Sequence, residues 1–290
     1  MIIKIPRKIH KSMLEQKGPW RIIGFIKEKP FLWEVVKLFL AQKTTSRLIG
    51  SLFDRSRTRI EIAITYLCNL QCVNCDNLCR QAPSSEHMSA EQVGKFIKES
   101  IENKAAWETI RILGGEPTLH PNISEIVQLL LKYKKDYAPN CKVTLVTNGF
   151  GEKVNKILSI LPKELFIENT AKKSPFQYFV AFNMAPCDLN RFQFADYSVG
   201  CGIMSGCGMG LTPFGYYPCV VAGAIDRVLG FNLGRKKLPR NDDSMRDQLK
   251  VFCRYCGHLM TRMTNKEIMT PTWVDACKRY RIKKPELSRY

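Results

Sequence analysis

The sequence of 290 residues lacks long apolar runs. None approaches the ~20 residues that a membrane-spanning helix needs, and no apolar stretch suited to a secretory signal peptide follows Met1. These absences favour a chain that stays in a reducing cytoplasm. Its 12 cysteines are then expected to bind metal and not to form disulfides. With 45% apolar residues, the chain can build one sizeable core and a smaller satellite domain.

The sequence also has few acidic residues: it contains 26 Asp and Glu and 45 Lys and Arg, which gives a net charge of +19. Most of the excess lies at the two ends: residues 1–58 carry +9 and residues 261–290 carry +5. Such ends are either attracted to an anionic partner, such as phosphate, a membrane surface or nucleic acid, or are merely solvated. We therefore expect a cytoplasmic protein, with peripheral contact at the inner face of the membrane as one use of the basic ends.

Three cysteines, Cys68, Cys72 and Cys75, follow a predicted strand over residues 59–64 whose β-branched residues favour the extended state. They lie on a loop at the strand's carboxyl end, where α/β barrels carry out chemistry. Three thiolates can hold three corners of a cubane iron–sulfur cluster and leave the fourth iron open. A structural zinc site normally has four ligands, and Cys79 could supply the fourth, so this loop alone leaves zinc open.

A second motif, Gly-Gly-Glu-Pro, closes a predicted strand over residues 109–113. Its glycines let the backbone approach a ligand closely, and its carboxylate can pair with an ammonium group. Together the two motifs resemble the radical S-adenosylmethionine (radical SAM) superfamily, although Asn74 stands where that family commonly has an aromatic residue. The resemblance implies a 4Fe–4S cluster on the three cysteines. It also implies that the methionine amino group of S-adenosylmethionine is bound by the second motif: Gly114, Gly115, Glu116 and Pro117.

Strands and helices alternate after the cysteine loop, and this order predicts a parallel α/β sheet. The periodicity predicts helices over 89–101 (with Ser89 as N-cap), 122–134 and 152–161, and strands over 142–147, 164–168 and 177–184. The resemblance implies a partial (βα)6 TIM-like barrel over residues 59–200. Three residues at strand ends are candidates for ribose, adenine or substrate contacts, although turn residues also occur there: Thr147, Asn148 and Glu168.

A second set of cysteines lies in residues 201–260, around a predicted β-hairpin. This arrangement resembles the twitch module, the shorter relative of the SPASM domain, which implies one auxiliary 4Fe–4S cluster. The expected ligands are Cys207, Cys219, Cys253 and Cys256, with Cys201 as a rival for Cys207. Zinc is the alternative, because a Cys-x2-Cys pair with a nearby Cys or His is also a zinc pattern.

The flanking segments are expected to be a mostly helical basic extension over residues 1–58 and a basic tail over 261–290, with surface helices after Met260. A helix predicted over residues 30–41 either packs on the barrel or lies in a membrane interface. Cys141 and Cys277 are expected to be inert thiols.

The resemblance implies reductive cleavage of S-adenosylmethionine and removal of a hydrogen atom from the substrate by a 5′-deoxyadenosyl radical. We expect a nucleotide- or lipid-linked sugar as substrate, epimerisation or oxidation as the outcome, and flavodoxin or ferredoxin as electron donor. Cys187 is the candidate hydrogen-atom donor, ahead of Cys79 and Cys201, and Asp188 is a candidate base.

Two other functions stay open. One is a radical SAM enzyme that modifies a peptide or protein, or a maturase. The other is a zinc module that binds nucleic acid, which Gly-Gly-Glu-Pro argues against, so no nucleic-acid partner is expected.

Overall fold

The computed structural model describes residues 35–36, 38–51, 53–259 and 266–290. The strands are β1 Arg59–Thr65, β2 Thr109–Gly114, β3 Lys142–Thr147, β4 Phe166–Asn169, β5 Met209–Thr212 and β6 Gly215–Tyr217. The α-helices are α1 Lys43–Ile49, α2 Ala90–Glu102, α3 Ile123–Tyr137, α4 Glu152–Ile160, α5 Gly202–Gly206, α6 Val220–Leu229, α7 Arg246–Phe252 and α8 Pro271–Ile282.

All six strands belong to one sheet in the order β4-β3-β2-β1-β5-β6. Strands β1 to β4 are parallel to their neighbours, β5 is parallel to β1, and β6 returns antiparallel to β5. Helices lie between successive strands from β1 to β4, as parallel pairing requires. The predicted α/β class, with the arrangement of a partial radical SAM barrel, is confirmed.

The two faces of β1 have different roles because successive side chains of a strand point in opposite directions. Ile60, Ile62 and Ile64 are fully buried in the main core, which they share with residues of α2 and α3. Glu61 and Ala63 belong to the opposite, concave face, where Ala63 packs in a second core. Functional side chains of the sheet are therefore expected on the concave face, because α2 and α3 pack against the other face.

Helix α2 begins as the sequence predicts. Ser89 is the N-cap: its side chain accepts a hydrogen bond from the backbone N–H of Gln92, and the Gln92 side chain accepts one from the N–H of Ser89. This capping box satisfies two N–H groups that the first turn would otherwise leave unpaired. The fully buried Val93 and Phe96 then face the sheet.

Helix α6 packs against the hairpin from the concave side, and Val220 to Val228 are all buried. Gly210 of β5 permits this packing, because a Cβ there would lie 2.4 Å from the backbone nitrogen of Val220. The hairpin, which the sequence places in a satellite module, thus pairs with β1 in the main sheet.

One expectation about local structure is wrong. Residues 177–184 form no strand; Tyr178 makes only an isolated bridge with Val73, because the backbone of this segment bonds to the cysteine loop and not to β4.

The described part after 265 holds one helix, α8, which lies at the surface as the sequence predicts. Its Trp273 is fully buried against Phe182, whereas Asp275 and Lys278 are exposed.

The helix predicted over residues 30–41 is only partly covered. Residues 35, 36 and 38–40 are helical, and residues 30–34 and 37 lie outside the described residues. Within the part of the chain that the structure describes, no helix has both the length and the apolarity to cross a membrane.

Candidate active site

The Gly-Gly-Glu-Pro turn is bonded directly to the cysteine loop. The N–H of Gly115 donates to the carbonyl of Thr65 at 2.8 Å, and the N–H of Glu116 donates to the carbonyl of Leu67 at 2.8 Å. A Cβ on Gly115 would lie 2.2 Å from the Leu67 oxygen and 3.1 Å from the Cβ of Cys68. Only glycine allows this approach, so the two motifs that the sequence singled out form one structural unit.

Glu116 holds this unit to the end of β3. Its side chain is fully buried and accepts hydrogen bonds from the N–H and hydroxyl of Thr118, the hydroxyl of Thr147 and the N–H of Asn148, at 2.8 to 3.2 Å. Two predicted cofactor-binding residues, Thr147 and Asn148, thus meet Glu116. A carboxylate with this many donors is held firmly in place, so the turn it belongs to is rigid.

Asn148 also links the end of β3 to the cysteine loop. Its amide nitrogen donates to the Asn69 side chain at 2.8 Å, and the Asn69 amide donates to the carbonyl of Phe150 at 2.7 Å. Pro117 is buried and begins a single helical turn. The strand ends and the cysteine loop therefore form a connected rim around the mouth of the barrel.

The three loop cysteines have no disulfide partners. Burial raises the pKa of Cys68 to about 12 and that of Cys72 to about 11, and the other thiols of the loop contribute to both shifts. The pKa of Cys75 is lowered, chiefly by a hydrogen bond with the Cys79 side chain. Buried thiols of high pKa lose their protons when they bind metal, which is the behaviour expected of cluster ligands.

Arg227, a buried cation beside this loop, shows whether the surroundings of the loop suit an anionic cluster. Arg227 is 1% exposed and donates to the carbonyls of Ala82 and Asn77 and to the Tyr280 hydroxyl, while its Nε has no hydrogen-bond partner. Its guanidinium lies 4.2 Å from the ring centroid of Tyr66. No ion pair joins Arg227 to an acid among the described residues. An unbalanced buried charge is costly, so an anionic cluster on the neighbouring loop fits this environment.

The second cysteine set surrounds a small cavity beside the amino end of α6. Four thiols line it together with apolar side chains of α5 to α7: Cys201, Cys219, Cys253 and Cys256. Burial raises the pKa of Cys219, Cys253 and Cys256, and Cys201 adds to each shift. Among the described residues, no three Cys, His, Asp or Glu side chains are close enough together to hold one metal ion. Four thiols around one cavity suit a cubane, with one thiolate on each iron. His258 also lines the cavity, so the residue types of a zinc site are present as well.

Cys207 does not line this cavity. Burial raises the pKa of Cys207 to about 12, with smaller effects from Glu61, Arg111 and the Cys201 thiol. Of the two rivals that the sequence left open, Cys201 is the one that the fold brings together with Cys219, Cys253 and Cys256.

Cys187 and Asp188 lie near the start of α8. The Asp188 carboxylate accepts hydrogen bonds from the N–H and hydroxyl of Thr272, at 3.0 and 2.5 Å, and Cys187 donates weakly to it at 3.9 Å. Hydrogen bonds from Thr270 and Thr272 lower the pKa of Asp188 against the opposing effect of burial. Asp188 thus holds the first turn of α8.

A charged group on the concave face escaped the sequence reasoning. Arg111 of β2 donates through Nη1 to Glu61 of β1, and through Nη2 to both carboxylate oxygens of Glu168 at 3.0 and 3.1 Å. Glu168 was predicted to bind cofactor, whereas Glu61 and Arg111 were not singled out. Their signal was present: Arg111 is the one charge of β2, Glu61 is a charge among the isoleucines of β1, and the two are in register.

The relatives of this chain among known proteins match only part of its length. The chain is 32% identical over 100 residues to GTP 3′,8-cyclase of Campylobacter jejuni subsp. doylei, which is 34% of this chain and 29% of that protein. It is 33% identical over 97 residues to a probable GTP 3′,8-cyclase of Methanococcus maripaludis, which is 33% of this chain and 30% of that protein. The match thus spans about three tenths of the length of these relatives.

Among solved structures, BtrN in complex with AdoMet and 2-DOIA aligns with 75% of this chain and 100% of that chain, at 14% identity and a TM-score of 0.44. Streptococcus suis SuiB bound to S-adenosylmethionine aligns with 56% of this chain and 34% of that chain, at 16% identity and a TM-score of 0.28. A family profile described as Radical SAM superfamily matches residues 62–163, the segment that holds both motifs. Residues 62–163 of this chain, which hold both motifs, are thus similar to the radical SAM superfamily.

Proposed function

We propose that this radical SAM enzyme removes a hydrogen atom from a carbohydrate-type substrate, such as a nucleotide- or lipid-linked sugar, and so epimerises or oxidises it. The observation that carries the proposal is the joining of the Gly-Gly-Glu-Pro turn to the cysteine loop above a concave face with hydrogen-bonding side chains. The Glu168 side chain on that face is 45% exposed, so its carboxylate can accept hydrogen bonds from the hydroxyl groups of a sugar.

The cluster and S-adenosylmethionine, when bound, supply a radical able to take a hydrogen atom from an unactivated C–H bond. The chain's own residues position and protect the reacting groups. Cys68, Cys72 and Cys75 would hold the cluster, and the backbone of Gly114 and Gly115 would lie against the cofactor. The hydrogen bonds to Glu116 keep that backbone from moving. A rigid rim of this kind fixes geometry and excludes water, which are the protein's contributions in such chemistry.

We also propose that Cys201, Cys219, Cys253 and Cys256 hold an auxiliary 4Fe–4S cluster, within an auxiliary unit at residues 201–260. Cys219 is the N-cap of α6, so the amino end of that helix points toward the thiol cavity. The partial positive charge of a helix amino end favours bound negative charge. The auxiliary cluster could accept an electron if the substrate is oxidised.

Epimerisation instead needs a hydrogen-atom donor, and Cys187 stays a candidate for it. Its thiol donates to Asp188, which accepts a hydrogen bond from Thr272 at the start of α8. The external one-electron donor would be a flavodoxin or ferredoxin. The basic segments 1–58 and 261–290 are proposed to meet an anionic substrate or a membrane surface.

The relatives favour a second candidate, cyclisation of a nucleotide. They are named GTP 3′,8-cyclase or probable GTP 3′,8-cyclase, and are 32% and 33% identical to this chain over 100 and 97 residues. This candidate shares the cofactors and the radical step with the first and differs in the substrate. The described residues show no feature specific to a peptide or protein substrate.

The test is deuterium transfer. Anaerobically reconstituted full-length protein is incubated with S-adenosylmethionine, dithionite and UDP-glucose deuterated on every sugar carbon, and 5′-deoxyadenosine is analysed by mass spectrometry. Deuterium in this product supports hydrogen abstraction from a sugar. Deuterium gained only from ribose-deuterated GTP overturns the first candidate in favour of the second.

A further inference from the structure

Arg227 lies in the last turn of α6 and contacts the cysteine loop from inside the protein. Its guanidinium lies 4.2 Å from the ring centroid of Tyr66, two residues before Cys68. Its Nη2 donates a hydrogen bond at 3.3 Å to the carbonyl of Asn77, two residues after Cys75. The positive charge therefore meets the loop on both sides of the three cysteines that would hold the first cluster.

The charge of Arg227 is not neutralised by a neighbouring acid. Within the described part of the chain, no carboxylate forms an ion pair with it. Asp226, its neighbour in the sequence, is fully buried but bonds elsewhere. The Asp226 carboxylate accepts hydrogen bonds at 2.8 to 2.9 Å from the Tyr217 hydroxyl and from the N–H groups of residues 232 and 233. Asp226 thus stabilises the loop after α6 and leaves Arg227 without a counter-charge.

The groups around Arg227 carry only partial charges. They are two loop carbonyls, the Tyr280 hydroxyl and the faces of two aromatic rings, and the carboxyl end of α6 adds a partial negative charge. The side chain is 1% exposed, and its Nε has no hydrogen-bond partner. A charge buried in this way acts on its neighbours more strongly than a charge in water, because the effective dielectric constant is low.

A cluster on the cysteine loop would respond to this charge. Thiolate ligands would make the cluster anionic, and one-electron reduction would add one more negative charge. A fixed positive charge beside it lowers the free energy of the reduced form more than that of the oxidised form. Arginine keeps its proton in proteins, so the charge of Arg227 is permanent.

We propose that Arg227 tunes the first cluster electrostatically: it raises the midpoint potential of the cluster and so makes its one-electron reduction easier. The electron comes from the external donor of the flavodoxin or ferredoxin class and stays on the cluster, while Arg227 neither gains nor loses a proton. The inference rests on the proposed function, because it requires a cluster on Cys68, Cys72 and Cys75.

A purely structural role for Arg227 is the alternative. Arg227 joins three segments, because its Nη1 also donates to the carbonyl of Ala82 at 3.0 Å and to the Tyr280 hydroxyl of α8 at 2.6 Å. Loss of such a link would lower stability without a specific effect on the potential of the first cluster. Tyr280→Phe removes one hydrogen bond of the link and keeps the charge, so this variant separates the two roles.

The test is a redox titration of anaerobically reconstituted full-length protein with dithionite, followed by electron paramagnetic resonance. The first cluster is identified as the signal that changes when S-adenosylmethionine is added, because its fourth iron is open. We expect Arg227→Gln to lower its midpoint potential by at least about 59 mV, which is a tenfold change in the equilibrium constant for one electron. Arg227→Met should do the same, and its apolar side chain fills the space if the buried amide of the Gln variant prevents folding.

Three further variants serve as controls. Arg227→Lys keeps the charge and should recover at least half of the shift. Tyr280→Phe should leave the midpoint potential unchanged. Arg279→Gln removes an arginine whose side chain is 67% exposed on α8, and it should also leave the potential unchanged because water screens that charge.

The proposal is overturned by an unchanged potential in the charge-removing variants, by an equal shift in Tyr280→Phe, or by a shift in Arg227→Lys as large as in Arg227→Gln. If neither Arg227→Gln nor Arg227→Met takes up the first cluster, uptake by Arg227→Lys supports the need for the charge, and failure of all three assigns Arg227 to folding. Failure of the proposed reaction is distinguishable. The expected shift without deuterium transfer from a sugar would leave the role of Arg227 standing, and deuterium transfer without the shift would mean the reverse.

Discussion

The backbone N–H of Glu116 lies 2.8 Å from the carbonyl oxygen of Leu67, one residue before Cys68. This hydrogen bond joins the turn that would bind S-adenosylmethionine to the loop that would bind the first cluster. A small displacement of either segment therefore changes the distance between the two cofactor sites. The predictions below test this coupling, the two cysteine sets and the environment of the barrel interior.

Gly115→Ala should separate the turn from the cysteine loop, because its Cβ would lie 2.2 Å from the Leu67 oxygen. We expect the affinity for S-adenosylmethionine to fall at least about tenfold, as expected when preorganised backbone contacts are lost. The matched control is Gly94→Ala in α2, where a Cβ meets nothing within 4 Å and should stabilise the helix by about 0.5 to 1 kcal/mol. Equal affinities in the two variants would contradict the close-packing argument.

Cys201→Ala and Cys207→Ala should behave differently. Only Cys201 lines the cavity with Cys219, Cys253 and Cys256, so Cys201→Ala should lose about four iron per chain, one cubane. The Cys207→Ala variant should keep the same iron content per chain as the wild type, because Cys207 does not line the cavity. Iron analysis of the two variants in parallel decides between the rivals, and the opposite pattern would place Cys207 in the auxiliary site.

Cys72→Ala should abolish 5′-deoxyadenosine formation from S-adenosylmethionine and dithionite, because the first cluster loses one of its three protein ligands. Cys141→Ala is a suitable control, since Cys141 is 2% exposed in the main core, away from both cysteine sets. Product is measured by liquid chromatography. Unchanged product from the Cys72 variant would exclude the loop from cofactor binding.

Thr147→Val should remove a hydrogen bond to the buried Glu116 carboxylate and the acceptor of the Gly149 N–H. Buried polar groups left without partners cost about 1 to 3 kcal/mol, so the denaturation midpoint should fall. Thr44→Val, at an exposed site of α1, controls for the change of residue type. Equal midpoints for the two variants would show that Glu116 is not held as described.

Stability should fall as the pH rises toward neutrality, because burial raises the pKa of Glu61 to about 7 from its usual 4.5. The folded state then binds this proton more tightly than the unfolded state, so the contribution is present below about pH 4.5 and is lost as pH approaches about 7. Glu61→Gln removes the titration. Urea midpoints of the holoprotein at pH 6 and 8 should differ more in the wild type than in the variant, and an identical pH dependence would contradict the shift.

Much of the barrel could be predicted from local pattern. The capping box at Ser89 and the alternation of β1 are local signals that the tertiary structure reinforces. Segment 177–184 has the composition of a strand, but its backbone pairs with the cysteine loop, a nonlocal contact that composition does not encode. The hairpin β5–β6 was recognised as a hairpin, and its place beside β1 depends on packing between distant segments.

Part of the candidate site could likewise be predicted from the sequence, and part depends on the fold. Cys68, Cys72 and Cys75 lie on one loop, so their spacing alone indicates that they act together. The proposed auxiliary thiols come from three segments, and only the fold shows that Cys201 lines the cavity with Cys219, Cys253 and Cys256 while Cys207 does not. Charged residues inside strands, such as Arg111 and Glu61, are a usable signal once register is known, since register shows which charges pair across neighbouring strands.

The most direct test of the account is the iron, sulfide and zinc content of the full-length protein after anaerobic purification and reconstitution. Two cubane clusters predict about eight iron and about eight sulfide per chain, with no zinc. About four iron would restrict the account to the first cluster and make the second cysteine set a different kind of site. Zinc without iron would contradict the account as a whole.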